Sequence, residues 1–244
     1  MRMNLKKVPL VWIGFCFLSM LLGCASVAPH RAHPEFERRS QDIKGAGLLS
    51  PDIKIYELTA GGVRELKDDW CAKGKENVQG ALIQCLRERP LEIKPIALEK
   101  RLEEEMEDVY ALYRAVNTSI LSHTYGQFTF PEKMKSFDYS IGSVEQISKT
   151  YGADALIFVY GSDEISTTGR QALQVLGAVA GAFTGVAVIP RSGITVLSVA
   201  VVDPSGVILW YNIKGGQGSH DLRNPESAAS LVRDLLSGYP GVKK

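Results

Sequence analysis

The segment Ala153-Asp154-Ala155-Leu156-Ile157-Phe158-Val159-Tyr160-Gly161 decides the fold of this chain, because it is a nearly continuous apolar run. A strand with one face in water alternates apolar and polar residues, whereas a strand covered on both faces is apolar throughout. The run therefore predicts a central strand with helices packed on both of its faces.

Shorter strands are predicted earlier in the chain. Asp52–Leu58 alternates strictly between apolar and polar residues, which indicates a half-buried strand. Ser50-Pro51 separates it from another strand at Ile43–Leu49. Leu91–Ile96 alternates again, and Pro95 places it at the edge of a sheet or at a strand end because proline has no N–H to donate.

A hairpin is predicted in the second half of the chain. Ile194–Asp203 and Val207–Lys214 are apolar segments on either side of Asp203-Pro204-Ser205-Gly206. Four residues of this kind that end in glycine are typical of a type I turn. We therefore expect two adjacent antiparallel strands here.

Helices are predicted from apolar residues at three- and four-residue spacing and from capping signals. Ser143 and Gln146 match a capping box, and Asn224-Pro225-Glu226 supplies a cap, a proline at the first helical position and an acid in the first turn. The predicted helices run from Asp68 or Asp69 to about Arg89, from about Ala97 to Ser122, from Ser143 to about Gly152, and from Asn224 to about Leu236.

These elements predict an α/β fold with a mixed (α+β) sheet. We expect one three-layer-like domain over residues 43–244, with helices packed on a mostly central sheet, a closing β-hairpin and a carboxy-terminal helix.

The amino terminus predicts a lipoprotein signal peptide over residues 1–23. A basic start is followed by the apolar stretch Val8–Leu22 and by Leu21-Leu22-Gly23-Cys24. The stretch is shorter than the roughly 20 residues of a spanning helix. Leu-x-Gly-Cys resembles the bacterial lipobox, which implies that Cys24 carries lipid and anchors the mature protein in a membrane.

Residues 24–42 are predicted to form a lipidated tether, because they are polar and contain Pro29 and Pro34. Fully extended, they would place the domain up to about 60 Å from the membrane. His30 and His33 fall within this stretch and are interpreted as solvated linker residues, since two histidines without further ligands do not make a metal site. Ser26 stands second after Cys24, and by resemblance to enterobacterial sorting this favours the outer membrane with the domain facing the periplasm.

Composition excludes nucleic acid as an expected partner. The formal net charge of the chain is +1 and no clustered basic face is evident. Once Cys16 leaves with the signal peptide and Cys24 is lipidated, Cys71 and Cys85 remain in an oxidising compartment. An even pair favours a disulfide, but two cysteines 14 residues apart on one continuous helix would lie about 21 Å apart and could not bond. Both alternatives stay open at this point.

Two motifs resemble a group of bacterial lipoproteins with a common small α/β fold. Tyr151-Gly152-Ala153-Asp154-Ala155 leads into the buried strand, and Val202-Asp203-Pro204-Ser205-Gly206-Val207-Ile208-Leu209-Trp210 forms the hairpin. The group comprises the curli-secretion channel lipoprotein, the penicillin-binding-protein activator lipoprotein and the amino-terminal domain of the TolB translocation protein. Asp221–Ala228 is similar to a less well characterised lipoprotein branch, and the likeness spans about Ile43 to Leu236.

The resemblance implies a non-catalytic, periplasm-facing lipoprotein that assists envelope assembly or secretion through contacts with envelope proteins. It implies no substrate and no cofactor. The curli channel inserts β-hairpins into the outer membrane, but the corresponding segment of this chain lacks the period-two alternation of a barrel wall.

That segment is the uncharged, glycine-rich insertion 171–190. Gly177, Gly181 and Gly185 recur at four-residue intervals and would share one helical face, where another helix can approach closely. Three alternatives follow: a helix packed on its own domain, a self-association element that makes a homo-oligomer, or a re-entrant or hairpin insertion into the membrane. The last corresponds to an oligomeric secretion-channel component.

An envelope hydrolase is the remaining alternative and has little support. The chain has no Gly-x-Ser-x-Gly elbow, no His-Glu-x-x-His motif and no P-loop. Ser219-His220-Asp221 has triad residue types, but consecutive residues cannot generally form a nucleophilic relay. Gly215-Gly216-Gln217-Gly218 could cradle an anion, although a flexible connection is the preferred interpretation. We expect no catalytic residue, no metal and no cofactor.

Overall fold

The longest strand among the described residues is the predicted central one. The computed structural model describes residues 30–87, 92–126 and 128–240, so the predicted signal peptide and Cys24 lie outside the described residues. The described residues form eight strands: β1 (His30–Ala32), β2 (Gly45–Leu48), β3 (Asp52–Leu58), β4 (Arg64–Leu66), β5 (Glu92–Pro95), β6 (Ala155–Ser166), β7 (Ile194–Val202) and β8 (Ile208–Gln217).

Helices surround this sheet. Within the described ranges they are α1 (Phe36–Arg39), α2 (Asp68–Leu86), α3 (Glu103–Ile120), α4 (Pro131–Lys135), α5 (Glu145–Tyr151), α6 (Thr168–Thr184) and α7 (Pro225–Leu236). Short 3₁₀ turns lie at Ser40–Asp42 and Lys100–Leu102, and a π-helical turn at Leu121–Tyr125 follows α3.

Strand β6 organises the sheet because it is paired along both edges. On one edge it runs antiparallel to β7, which continues through the hairpin into β8 and then to β1. On the other edge it is parallel to β2 along its first half and to β3 along its second half. Strands β5 and β4 extend these two halves and form the outer edges. The mixed α/β sheet, the hairpin and the edge position of β5 are confirmed.

The apolar run of β6 contributes to a core on each face of the sheet. Ile157 and Val159 point into the core shared with α2 and α7, whereas Leu156 and Phe158 point into the core shared with α3 and α5. Side chains of successive strand residues alternate between faces, so both faces of β6 need a helical cover. The three-layer arrangement follows directly.

Several predicted helix boundaries are wrong. α2 begins after Lys67 and ends at Leu86, and no aspartate side chain caps it. The helix predicted from Ala97 begins with a 3₁₀ turn and ends in the π-helical turn. The capping box does not form, because α5 begins at Glu145 after Val144. The cap at Asn224 is confirmed, since its Oδ1 accepts from the backbone N–H groups of Glu226 and Ser227, both within 3.0 Å.

The predicted tether extends too far. Residues 30–42 belong to the domain: β1 pairs with β8, and the side chain of Phe36 is buried against the ring of Tyr239. His30 is a strand residue whose ring stacks on Trp210, with 5.9 Å between ring centroids, and not a solvated linker residue. Burial, followed by the charge of Arg31, lowers the pKa of His30.

Of the two alternatives for the cysteines, the disulfide is wrong. Cys71 and Cys85 lie on the single continuous helix α2, and no disulfide joins them. The thiol of Cys71 instead lies against β3, where its Sγ accepts from the backbone N–H of Ile55 at 3.1 Å.

A buried aspartate ties the chain after β8 to the sheet. Asp163 on β6 is fully buried; its Oδ1 accepts from the Thr195 hydroxyl at 2.7 Å and its Oδ2 from the Leu222 backbone N–H at 2.8 Å. Burial raises the pKa of Asp163 above its ordinary value of 3.8, and the bonds from Leu222 and Thr195 offset this only in part.

The raised pKa of Asp163 makes the stability of the protein depend on pH. The folded state keeps the proton to a higher pH than the unfolded state does, so the stabilising contribution is complete below the unfolded pKa of 3.8 and is lost as pH rises through the folded pKa. Asp163→Asn removes this dependence. Its amide oxygen can accept from Leu222, and its amide nitrogen can donate to the Thr195 hydroxyl, which still donates to the carbonyl of His220.

Urea unfolding at about pH 4.5 and about pH 7.5 tests this account, and we expect wild type to lose stability relative to Asp163→Asn at the higher pH. Asp163→Ala leaves the Leu222 N–H unsatisfied and should be about 1–3 kcal/mol less stable than Asp163→Asn at both pH values, because neither side chain titrates. Parallel pH dependence in wild type and Asp163→Asn would contradict the assignment.

Candidate functional site

An apolar arm projects from one end of the sheet. It consists of α6 and the segment that returns from it to β7, residues 168–193 in all. The helix starts where β6 ends, and the Thr167 side chain caps it by accepting from the Arg170 backbone N–H at 3.3 Å. Gly185 ends the helix in the left-handed conformation, with φ of 74°, which a residue without Cβ adopts readily.

The return segment lies along the glycine face of α6. A Cβ at Gly177 would collide with the carbonyl oxygen of Val188, and a Cβ at Gly181 would collide with Ala187. The predicted glycine stripe therefore exists, but it accommodates the chain's own backbone. Gly185 serves as the helix cap instead.

Arg170 anchors the base of the arm. The residue is 6% exposed; its Nε donates to the carbonyl of Arg191 at 3.0 Å and its Nη1 to the carbonyl of Thr59 at 3.3 Å. One guanidinium thus joins the start of the arm to its end and to the turn between β3 and β4. The exposed Arg191 and Arg64 both pair with Glu164, at 2.6 and 2.9 Å, and form a polar collar around this base.

Beyond its base the arm is apolar and uncovered. All residues from 171 to 190 are described; none of them is buried and none is charged. Phe183 is 86% exposed, Val188 81% and Leu176 63%. A contiguous exposed apolar surface of this kind marks a site of contact with another molecule or with a membrane.

The structure decides one of the three alternatives for this segment. The interpretation as a helix packed on its own domain is wrong, because Arg170 is the only buried residue of α6, all of which is described. Self-association and membrane contact remain. None of the helices within the described ranges has both the length and the apolar character needed to cross a bilayer.

A charged cleft of about 770 Å³ lies at the opposite end of the sheet. It forms where α1, α5 and the hairpin turn meet at the start of β6. Its lining carries charges of both signs: Arg38, Arg39, Asp42, Glu145, Lys149, Asp154 and Asp203.

Most charged side chains of the cleft form ion pairs or hydrogen bonds with neighbouring residues. Arg39 bridges Glu35 and Asp203, and Lys149 pairs with Glu145 at 2.7 Å. The carboxylate of Asp154 accepts from the backbone N–H groups of Lys44 and Gly45, both at 2.9 Å. A surface of paired, mixed charges suits electrostatic recognition of another polar surface better than proton transfer to a substrate.

The sequence candidates for catalysis do not converge. Asp221 binds the guanidinium of Arg223 at 2.8 and 3.0 Å, and the carbonyl of its neighbour His220 accepts from Thr195 at 3.1 Å. The remaining histidine of the chain, His123, stacks on Phe130, with 4.0 Å between ring centroids. The run Gly215-Gly216-Gln217 continues β8 opposite β7 and is neither an anion cradle nor a flexible connection.

Metal-ligating side chains are also dispersed. Within the described ranges, no three His, Cys, Asp or Glu side chains lie close enough to hold one ion together. His33 Nδ1 accepts from the backbone N–H of Glu35 at 3.1 Å and so contributes to local chain geometry.

Arg170, Asp163 and the cleft were not found from the sequence. Arg170 directly precedes the uncharged segment 171–190, and Asp163 follows the apolar run 153–161, but neither position was predicted to have a role. A charge at the border of an apolar stretch is a usable signal, since it needs a partner if the fold buries it.

No protein-family model matches the chain, and no curated protein matches it. The family resemblance therefore stays a prediction.

Arg170→Ala tests the anchoring of the arm. Loss of the two bonds to Arg191 and Thr59 should cost about 1–3 kcal/mol and speed proteolysis at the ends of the arm. Arg191→Ala is the matched control: it removes an exposed ion pair but leaves the Arg191 carbonyl that Arg170 binds, so it should cost at most about 1 kcal/mol and leave proteolysis nearly unchanged. Equal cleavage rates in both variants would refute the anchoring role.

Proposed function

We propose that this protein is a non-catalytic, lipid-anchored lipoprotein of the bacterial outer membrane that faces the periplasm and assists envelope assembly or secretion through protein contacts. Lipid on Cys24 would hold it at the membrane, and the charged cleft would bind the partner.

The proposal is supported by the position of the apolar arm and the charged cleft at opposite ends of the sheet. The apolar arm leaves the end at Ser166 and Ile194, whereas the cleft lies at the hairpin turn around Asp203. Nine residues of β7 separate these ends, about 30 Å in an extended strand. A protein built in this way can face a membrane at one end and a soluble partner at the other.

The position of the cleft also argues against an enzyme. Open α/β sheets bind their substrates outside the carboxyl ends of the parallel strands. The cleft lies instead at the amino ends, beside Gly45 of β2 and Asp154 just before β6. The carboxyl end of β6 leads into the arm, and the catalytic candidates do not meet there.

The exposure of the arm favours one second candidate, an oligomeric secretion-channel component. In that case the segment 171–190 would line or surround a pore. Its helical form and the lack of alternating apolar residues weigh against a barrel wall. A large ring in detergent extracts would support the channel, whereas a monomer or dimer supports the accessory role.

Metabolic labelling with an alkyne-tagged fatty acid tests the anchor. We expect label on the wild-type protein and none on Cys24→Ser, which should also move from the membrane fraction to the soluble fraction, because two or more acyl chains are needed for stable anchoring. Cys71→Ser, on α2, is the matched control and should be labelled like wild type. Label that persists in Cys24→Ser, or is missing from wild type, would remove the basis of the proposed location.

Charge reversal tests the cleft. The variant Arg38→Glu with Lys149→Glu should weaken binding of the partner, read as crosslinked yield in native membranes, by about tenfold, which corresponds to about 1.4 kcal/mol. The melting temperature should fall only slightly, since the two ion pairs that become like-charge pairs, Arg38–Glu35 and Lys149–Glu145, are exposed. Lys75→Glu, exposed on α2, provides the matched control and should leave the yield unchanged. Equal yields from the cleft variant and wild type would exclude the cleft as the partner site.

A further inference from the structure

The exposed apolar surface of the arm is expected to contact another apolar surface. A helix that is apolar on all sides is found inside a protein or in contact with lipid. The polar side chains of α6 beyond Arg170 are Gln171, Gln174 and Thr184, and the last donates to the helix's own Ala180 carbonyl. The face that usually admits a second helix is already filled, because Gly177 and Gly181 lie against the return segment.

The arm is built for shallow contact with lipid and not for a full span. Its helix has 17 residues, about 25 Å in length, compared with a hydrocarbon core of about 30 Å. The return segment has no regular structure from residue 186 to residue 193. Its backbone groups need water or headgroups as partners, which the hydrocarbon centre does not provide. Both features suit the boundary between headgroups and acyl chains.

Strand register places the start of the described chain toward the same end of the sheet as the arm. β8 runs from the hairpin turn toward Gln217, which pairs with Ile194 at the end of the arm. β1 runs antiparallel to β8, with His30 opposite Asn212. The amino end of β1 therefore points toward the arm and away from the cleft.

The distances limit where a lipid on Cys24 can lie. Six residue steps join Cys24 to His30, so they reach at most about 22 Å. Asn212, which lies opposite His30, is five residues of β8 away from Gln217 at the arm end of the sheet, a distance of about 17 Å. β6, which carries the arm, is three strand spacings from β1, or about 14 Å. The lipid and the base of the arm thus fit within reach of one membrane surface.

We infer that the apolar arm is a second membrane contact, which lies in the phospholipid interface of the same leaflet that holds the lipid on Cys24. This inference rests on the proposed lipid anchor. With two contacts at one end of the sheet, the domain is oriented on the bilayer and the charged cleft faces away from it. The collar of Arg64, Arg191 and Glu164 lies at the headgroup level.

Quenching by brominated lipid tests the contact in the full-length lipidated protein, reconstituted into phosphatidylethanolamine–phosphatidylglycerol vesicles. Phe183→Trp places a probe on the arm, and Leu176→Trp provides a second one. Leu112→Trp is the matched control, since Leu112 is a 51% exposed apolar residue on α3. We expect brominated lipid to lower the fluorescence of the introduced tryptophan about twofold at positions 183 and 176, as for groups that lie about 5–10 Å deep in the bilayer. The fluorescence of the tryptophan at position 112 should not change.

Flotation of the protein with the same vesicles measures lipid anchoring separately from the contact made by the arm. Flotation that depends on Cys24, together with quenching at 183 and 176 alone, supports the inference. Flotation without quenching at these positions, or with equal quenching at 112, overturns the membrane contact and leaves the anchor standing. Lack of flotation overturns the anchor itself. The fluorescence of Phe183→Trp could instead be blue-shifted but not quenched by brominated lipid, while the size of the protein grows with its concentration. That result would overturn the inference in favour of contact with a second copy.

Discussion

Burial of β6 on both faces is the constraint on which the rest of the structure depends. Its apolar side chains alternate between two cores, so helices must cover both sides of the sheet. β7 and β8, joined by a single tight hairpin, and β1 beyond them form one half of the sheet, and β2 and β3 share the other edge of β6 in succession. Phe158, Trp210 and Tyr211 are among the largest fully buried side chains, and all three come from these strands.

The same strand gives the molecule two unlike ends. At its amino end, turns and short helices collect charged side chains around a cleft, with Asp154 bonded to two backbone N–H groups. At its carboxyl end the chain leaves as an apolar helix and comes back along it, anchored by Arg170. Because β6 spans the sheet from end to end, the two candidate sites cannot merge into one pocket. This polarity supports an anchored binding protein more than an enzyme.

Much of the fold could be predicted because it depends on local periodicity. The central strand, the hairpin, the edge strand with Pro95 and the helix after Asn224 all follow from patterns within a few residues. Wrong boundaries arose where tertiary contacts outweighed local signals. Ser143 does not start α5, which begins at Glu145. His30 joins the sheet instead of a tether, because β8 offers an open edge and Trp210 a ring to stack on.

The sequence by itself determined the layered α/β architecture and the existence of an uncharged, glycine-marked segment, since both are written in the order of apolar and polar residues. Only the tertiary structure decided that this segment stands clear of the domain and that its glycines receive the chain's own return segment. It also decided that a charged cleft forms at the far end. Contacts between residues distant in the chain depend on how strands pair, and pairing is a property of the folded sheet that no local pattern records.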